Sequence, residues 1–190
     1  MRKERVGFAV CGSFCTHANV LEALRELVKE YETVIPIVSE TSAYTDTRFG
    51  SSDDLLETLE ELTGQEVLYD IPSVEPIGPK KLLDLLVVAP CTGNTLGKLA
   101  AGIYDTAPTL AVKSHRRNDR PVLIAVSTND ALAASAPAIG MLHSRKGFYF
   151  VPYEQDDFSG KPCSCVADFA QILPAAQAAL EGRQLQPLLL

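Results

Sequence analysis

The sequence predicts an α/β fold, a three-layer doubly wound parallel sheet, on three observations. Short apolar runs recur at Val6 to Cys11, Val34 to Val38, Leu85 to Ala89 and Val122 to Val126. Segments with apolar residues at helical spacing lie between them. The runs end on small or hydroxyl-bearing residues such as Gly12, Ser39 and Ser127. Strands buried on both faces of a parallel sheet read as continuous apolar runs, and their alternation with helices builds βαβ units. The 190 residues suffice for one domain with its own core, and no repeat or linker divides them, so residues 1–190 read as a single domain.

The first run stops at Gly12, and Val20, Leu21, Leu24, Leu27 and Val28 then recur at i, i+3, i+4, i+7 spacing, one buried face of a helix. After the second run comes a hydroxyl-rich stretch from Ser39 to Ser52. Ser51 or Ser52 caps the next helix, Asp53 and Asp54 sit in its first turn, and Gly64 stops it. Gly64 to Pro79, with three prolines, reads as loop with a short strand at Val67 to Tyr69. Leu85 to Ala89 is the strongest strand, ended by Pro90, and Thr92 to Gly102 is helical. Pro108 starts a helix to Lys113, and Lys113 to Arg120 reads as a basic polar loop. A helical segment over Asp130 to His143 is interrupted by Pro137, Phe148 to Pro152 is a last strand, and a helix over Val166 to Leu180 is kinked at Pro174.

Composition excludes several functions. A net charge of −7 opposes nucleic-acid binding, which needs a basic face. The longest apolar run, Leu85 to Cys91, is far below the ~18 residues of a membrane span. The charged start Met1 to Arg5 resembles a secretory leader only superficially, because His17, Glu22, Arg25 and Glu26 follow without a cleavage site. Five cysteines without framework spacing read as reduced thiols of a cytoplasmic protein.

In doubly wound sheets ligands bind beyond the carboxyl ends of the strands. The loops there are Gly12-Ser13-Phe14-Cys15, Ser39-Glu40-Thr41, Pro90-Cys91-Thr92-Gly93-Asn94-Thr95 and Ser127-Thr128-Asn129. They are hydroxyl- and amide-rich and poor in charge, which suits a polar ligand with one anionic end. The first leads into a helix N-terminus, whose free N–H groups favour a phosphate; it serves equally well as a plain turn with Ser13 as cap. Neither G-x-G-x-x-G nor a P-loop occurs. In the third loop Gly93 lets the backbone approach a ligand and Asn94 offers donor and acceptor; the alternative is a helix cap at Thr92.

Gly12-Ser13, Pro90 to Thr95 and Ser127 to Asn129 resemble the fingerprints of the FMN-binding flavoproteins that include the homo-oligomeric cysteine decarboxylases. Within that family the whole chain is similar to the dipicolinate synthase B subunits of spore-forming bacteria, through Ala89 to Asn94, Val126 to Leu132, Tyr149 to Pro152 and Gln184 to Pro187. The resemblance implies a Rossmann-like flavoprotein fold with FMN as cofactor. Gly12, Ser13 and the helix start after them would hold the ribityl phosphate. Ser39 and Thr41 would border the cofactor, and Asn94, Thr95 and Asn129 would lie against it. It further implies a homo-oligomer, a partner A subunit carrying NADP, and sporulation-linked formation of dipicolinate from a cyclic dicarboxylate precursor. One departure matters: the decarboxylases place a catalytic His before the fourth strand, where this chain reads Val74-Glu-Pro-Ile-Gly-Pro79. That points away from decarboxylation and leaves no general base named. Another FMN-dependent enzyme of the family, a decarboxylase or a prenyl-flavin synthase, and a non-catalytic scaffold protein are the rival readings.

Other candidates stand beside these. His17 sits near the first helix start, facing either the phosphate or solvent. His115, in the basic run, either attracts an acidic group or is solvated. Arg48 is a carboxylate clamp on a lid or part of a disordered loop. Cys163-Ser-Cys165 has no His nearby and makes a poor metal site. Asp53 to Glu61 reads as a solvated helix face.

Overall fold

The structure, a computed structural model, describes residues 1–190. Four long or medium strands, β1 (Arg2–Val10), β2 (Tyr31–Val38), β3 (Leu85–Cys91) and β4 (Val122–Thr128), form a parallel sheet in the order β2-β1-β3-β4. The connecting helices are α1 (His17–Glu30), α2 (Glu40–Tyr44), α3 (Ser52–Thr63), α4 (Ile71–Val74), α5 (Gly93–Ala101) and α6 (Ala107–Arg116). The edge of β4 is shared. Its first half pairs in parallel with β5 (Phe148–Phe150), after α7 (Ala136–His143). Its last two residues pair antiparallel with β7 (Cys165–Ala167), which also pairs with β6 (Tyr153–Glu154); α8 (Ile172–Leu180) closes the chain.

Side-chain alternation along the strands separates two cores, one on each sheet face. Val6, Phe8, Val10, Leu85, Val87 and Leu123 meet α1, α3 and α8 on one face. Ala9, Cys11, Leu86, Val88, Ile124 and Val126 meet α4 to α7 on the other. This is the predicted three-layer α/β architecture. None of the helices is long and apolar enough to cross a membrane.

The local signals acted where they were read. Ser51 accepts from the Asp54 N–H, and Gly64 ends α3 at φ 63°. Thr92 caps α5, and Gly102 ends it at φ 73°. Several expectations are corrected. Pro90 does not end β3: having no N–H, it skips a rung, and pairing resumes at Cys91 opposite Val126. The loop from Gly64 to Pro79 contains α4, nucleated by a reciprocal cap between Asp70 and Ser73 with Pro72 in its first turn. Of the strand at Val67 to Tyr69 there remains a single bridge, Leu68 to Ile37. The basic run is not a loop throughout, because α6 continues to Arg116. Pro137 starts α7 rather than interrupting a helix. The C-terminal helix begins at Ile172, six residues late, because Cys165–Ala167 is drawn into the sheet. Pro174 then falls in the first turn, where N–H groups have no helical acceptor, so no kink arises.

Candidate functional site

In a sheet of this order the chain winds one way from β1 to β2 and the other way from β1 to β3, and the crevice opens where the two directions part. Two hollows lie there, beyond the carboxyl ends of the strands, and share Thr92. The first, about 390 Å³, takes Ser13, Cys15, Thr92, Ser127, Thr128 and Asn129 of the expected residues. The second, about 240 Å³, takes Gly12, Ser39, Thr41, Thr92, Asn94 and Thr95. A hollow with more room, about 510 Å³, lies between α1 and the turn before α8, lined by Glu22, Glu26, Phe169 and Leu173; it is not at a strand end. The crevice therefore remains the site, because position in the fold outweighs room.

Ser13 adopts a left-handed backbone (φ 70°), and its hydroxyl lies 2.6 Å from that of Ser127, tying the first loop to the last. Its carbonyl accepts from the Thr16 N–H at 2.9 Å and the Thr16 hydroxyl at 2.8 Å. Neither Ser13 nor Thr16 puts a side chain on the N–H groups that open α1. The other helices entering the crevice are capped internally. Ser39 accepts from Ser42, Thr92 from Thr95, and Thr106 from Thr109. Each of these caps satisfies one N–H of its helix, whereas the turn Phe14–Thr16 that leads into α1 carries no side-chain cap, so an anion meets backbone donors there.

Gly93 is required by protein contacts. A Cβ there would sit 2.5 Å from the Ser135 hydroxyl, 2.8 Å from that of Thr128 and 2.9 Å from the Asp130 carboxylate. Asp130 accepts from Thr128 and, at 2.7 Å, from Ser135, and these bonds hold its carboxyl below the usual range. The cluster anchors Thr128, with Asn129 beside it on the crevice rim. Asn94 and Asn129 are both exposed. Thr95 is buried, and its hydroxyl faces the Cys11 thiol, which burial pushes up to about 11.

Pro90, Cys91 and Phe14 line neither hollow. Pro90 and Cys91 are buried within β3, and Cys91 belongs to the second core. Phe14 lines an adjoining hollow with His17 and Phe49. His17 is largely enclosed and donates from Nε2 to the Cys11 carbonyl at 2.9 Å; burial lowers its pKa. His115 is not solvated. It is 1% exposed, inside α6, and donates to the Pro121 carbonyl at 2.9 Å. The basic run lies at the opposite end of the sheet. There Arg120 meets Asp84 at 2.9 Å, and Arg116 bonds the Arg120 and Lys146 carbonyls. Arg48 is exposed, over the Phe49 ring. Cys165 pairs opposite Thr128 in the sheet.

The structure adds residues that sequence reasoning passed over. Glu40 and Thr106 line the second hollow. Asp156, Lys161 and Ser164 line the first, carried there by the segment between β6 and β7. The turn residues Asp157 and Gly160 mark that segment as a tight loop, but they give no sign of where it folds. Burial pushes Asp156 up, yet hydrogen bonds with Ser164 and Lys161 outweigh it and hold the carboxyl below the usual range.

The model of the Flavoprotein family matches residues 1–146. The chain is 40% identical over 189 residues to the dipicolinate synthase B subunit of Bacillus subtilis (strain 168), a match spanning 100% of this chain and 94% of that one. The crystal structure of the dipicolinate synthase B subunit from Bacillus halodurans C superposes with a TM-score of 0.90 at 37% identity, covering 98% of this chain and 96% of that one. The FMN-dependent cysteine decarboxylase TvaF from thioviridamide biosynthesis has the same fold, with a TM-score of 0.68 at 21% identity over 95% of this chain and 99% of that one.

Proposed function

The chain belongs to the Flavoprotein family, among the dipicolinate synthase B subunits, and on that premise we propose that it binds FMN and works with an A subunit carrying NADP. Together they convert a cyclic dicarboxylate precursor into dipicolinate, by loss of one water and removal of two hydrogens from a hydroxylated tetrahydro-dipicolinate ring. The observation that carries this reading is the crevice itself. Two hollows meet at Thr92 at the β1/β3 switch point, lined mainly by hydroxyls and amides. That is where FMN sits in sheets of this strand order.

The residues present suit such a ligand. The uncapped start of α1, with Gly12 and Ser13, supplies backbone donors for a phosphate. Thr92, Asn94 and Asn129 offer neutral donors and acceptors to the ribityl chain and ring edge, with Ser39, Thr41, Thr95, Ser127 and Thr128 around them. The bound flavin supplies a two-electron sink that no side chain can provide. This chain's own work is to hold the ligand against rigid strand ends and keep water from it. Thr128 is fixed by Asp130, and Ser13 by Ser127, so the hydroxyls are oriented before anything binds.

The test is the visible absorption spectrum of the purified protein, followed by FMN titration. Flavin bands or tight uptake, weakened at least tenfold by Asn94→Ala, is the expected result; that factor corresponds to about 1.4 kcal/mol. No bands and no uptake would overturn the flavin reading in favour of a scaffold role. If FMN binds, the second step is assay with the A subunit.

A further inference from the structure

Loss of water from the precursor ring needs a group that takes a proton from carbon, and the strand-end motifs name none. The protonatable side chains lining the two hollows are Cys11, Cys15, Glu40, Asp156 and Lys161. Asp156 and Lys161 are paired at 3.2 Å, and the bonds that hold the Asp156 carboxyl low make it a weak base. Burial pushes the Cys11 thiol up to about 11, which keeps it protonated, and Cys15 is exposed to water. The histidines are engaged elsewhere, His17 and His115 on backbone carbonyls at 2.9 Å and His143 on the Tyr153 hydroxyl at 3.2 Å. Glu40 differs from all of these. It opens α2 and lines the second hollow. Its Oε1 accepts from the Ala107 N–H at 3.0 Å, which anchors the carboxylate. Its Oε2 is buried and has no hydrogen-bond partner in the protein. A carboxylate oxygen with neither water nor a donor is costly to keep, and taking up a proton removes that cost. The terminal torsion of a Glu side chain is soft, so Oε2 can swing into the hollow. No cation lines that hollow to neutralise it.

We propose that Glu40 is the catalytic acid–base residue of the water-loss step. The proposal rests on the dipicolinate reading and deepens it. In a ring whose two carboxylates flank the nitrogen, a hydroxyl able to leave as water stands on the opposite, three-carbon edge. That uncharged edge enters the second hollow, so the substrate carboxylates stay clear of Glu40. The Glu40 carboxylate takes the proton from the carbon beside the hydroxyl-bearing one. The electron pair of that C–H bond becomes the new ring C=C bond, and the C–O bond breaks with its pair on oxygen. The same carboxyl then gives its proton to the leaving hydroxide. One water departs, Glu40 is again a carboxylate, and no electron acceptor is used. Removal of the two hydrogens is a later, separate step.

The test uses the assembled A and B subunits, with NADP and FMN at saturation, on two substrates: the hydroxylated precursor and the anhydro ring that has already lost its water. Glu40→Gln keeps an acceptor for the Ala107 N–H but cannot take up a proton. The expected result is that E40Q lowers kcat on the hydroxylated precursor about a hundredfold. On the anhydro ring its deficit stays below about threefold, and FMN titration of the variant stays within about the same factor of wild type. Glu40→Asp restores a carboxylate, and its kcat on the precursor recovers to about tenfold above that of E40Q. A thermal melt of each variant is the folding control. Should E40Q not fold, E40D carries the test, with about a tenfold deficit on the precursor and less than about threefold on the anhydro ring. The proposal is overturned if E40Q keeps more than about a tenth of kcat on the precursor, is as slow on the anhydro ring, or loses activity in step with FMN affinity. If wild type takes up no flavin yet converts the precursor, the flavin reading alone fails, and the two-substrate comparison still decides for or against Glu40. If the wild-type complex makes no dipicolinate from either substrate, the dipicolinate reading fails and the proposal falls with it.

Discussion

Acidification should destabilise this protein through His115, by an amount the structure sets. The ring is 1% exposed, and burial, reinforced by Arg120 and Arg116 nearby, lowers its pKa from 6.5 to about 4. The hydrogen bond to the Pro121 carbonyl and the Asp84 charge oppose the shift without cancelling it. In the unfolded chain the imidazole takes up a proton near 6.5; in the native protein it does so only near 4. Between those values the unfolded state binds more protons, so stability falls as pH falls. Above pH 6.5 neither state binds the proton and the full contribution is present. The difference amounts to roughly 3 kcal/mol, spent between pH 6.5 and 4. The perturbation is His115→Gln, which keeps a donor near the Nε2 position and does not titrate. At pH 7 the variant should be less stable by about 1–3 kcal/mol, through altered packing. Guanidinium unfolding at several pH values between 7 and 4 should show the two proteins converging by roughly that 3 kcal/mol. Aspartates held low by their bonds, such as Asp84 and Asp130, lose their contribution in both proteins and cancel. Parallel curves would refute the reasoning, since they would mean His115 titrates alike folded and unfolded.

Two further substitutions probe the packing. Gly93→Ala should cost about 2 kcal/mol by overpacking against Ser135, Thr128 and Asp130, and FMN uptake should weaken with it as Thr128 and Asn129 are displaced. Gly97→Ala, on the same helix with nothing within 4 Å, should instead add up to about 1 kcal/mol from helix propensity; chemical denaturation and flavin titration of both variants check the pair. Gln184→Ala should cost about 2 kcal/mol. Its amide completes the free side of β5, accepting from the Phe150 N–H at 2.8 Å and donating to the Phe150 carbonyl at 2.7 Å. Faster hydrogen exchange at the Phe150 amide is the sign to look for, and unchanged exchange there would show that the side chain does not close the strand.

Much of the architecture was legible because it is written in neighbouring residues. Strand burial shows as contiguous apolar runs, and the ends of α3 and α5 show as Ser51, Gly64, Thr92 and Gly102, each acting within one helical turn. The same rule located four crevice loops, since ligands gather at strand ends whatever the chemistry. The Gln184 to Pro187 stretch could be singled out by resemblance, but its task could not. The amide pairs with Phe150, 34 residues away.

What the chain determined by itself is therefore the α/β class, the four parallel strands and the hydroxyl-rich loops at their ends. Tertiary structure decided the rest, wherever the outcome depended on what a distant segment brought near. Cys165–Ala167 has a helical pattern beyond it but is captured by the open end of β4. Lys161 and Asp156 enter the crevice only because β6 and β7 fold back beside that strand. Glu40 owes its fixed oxygen to a backbone N–H 67 positions on, and Gly93 owes its missing side chain to Ser135, Thr128 and Asp130. Caps and periodicities act over a few residues of one chain, whereas a site is made of groups close in space and far in sequence. Only the packed sheet brings them together.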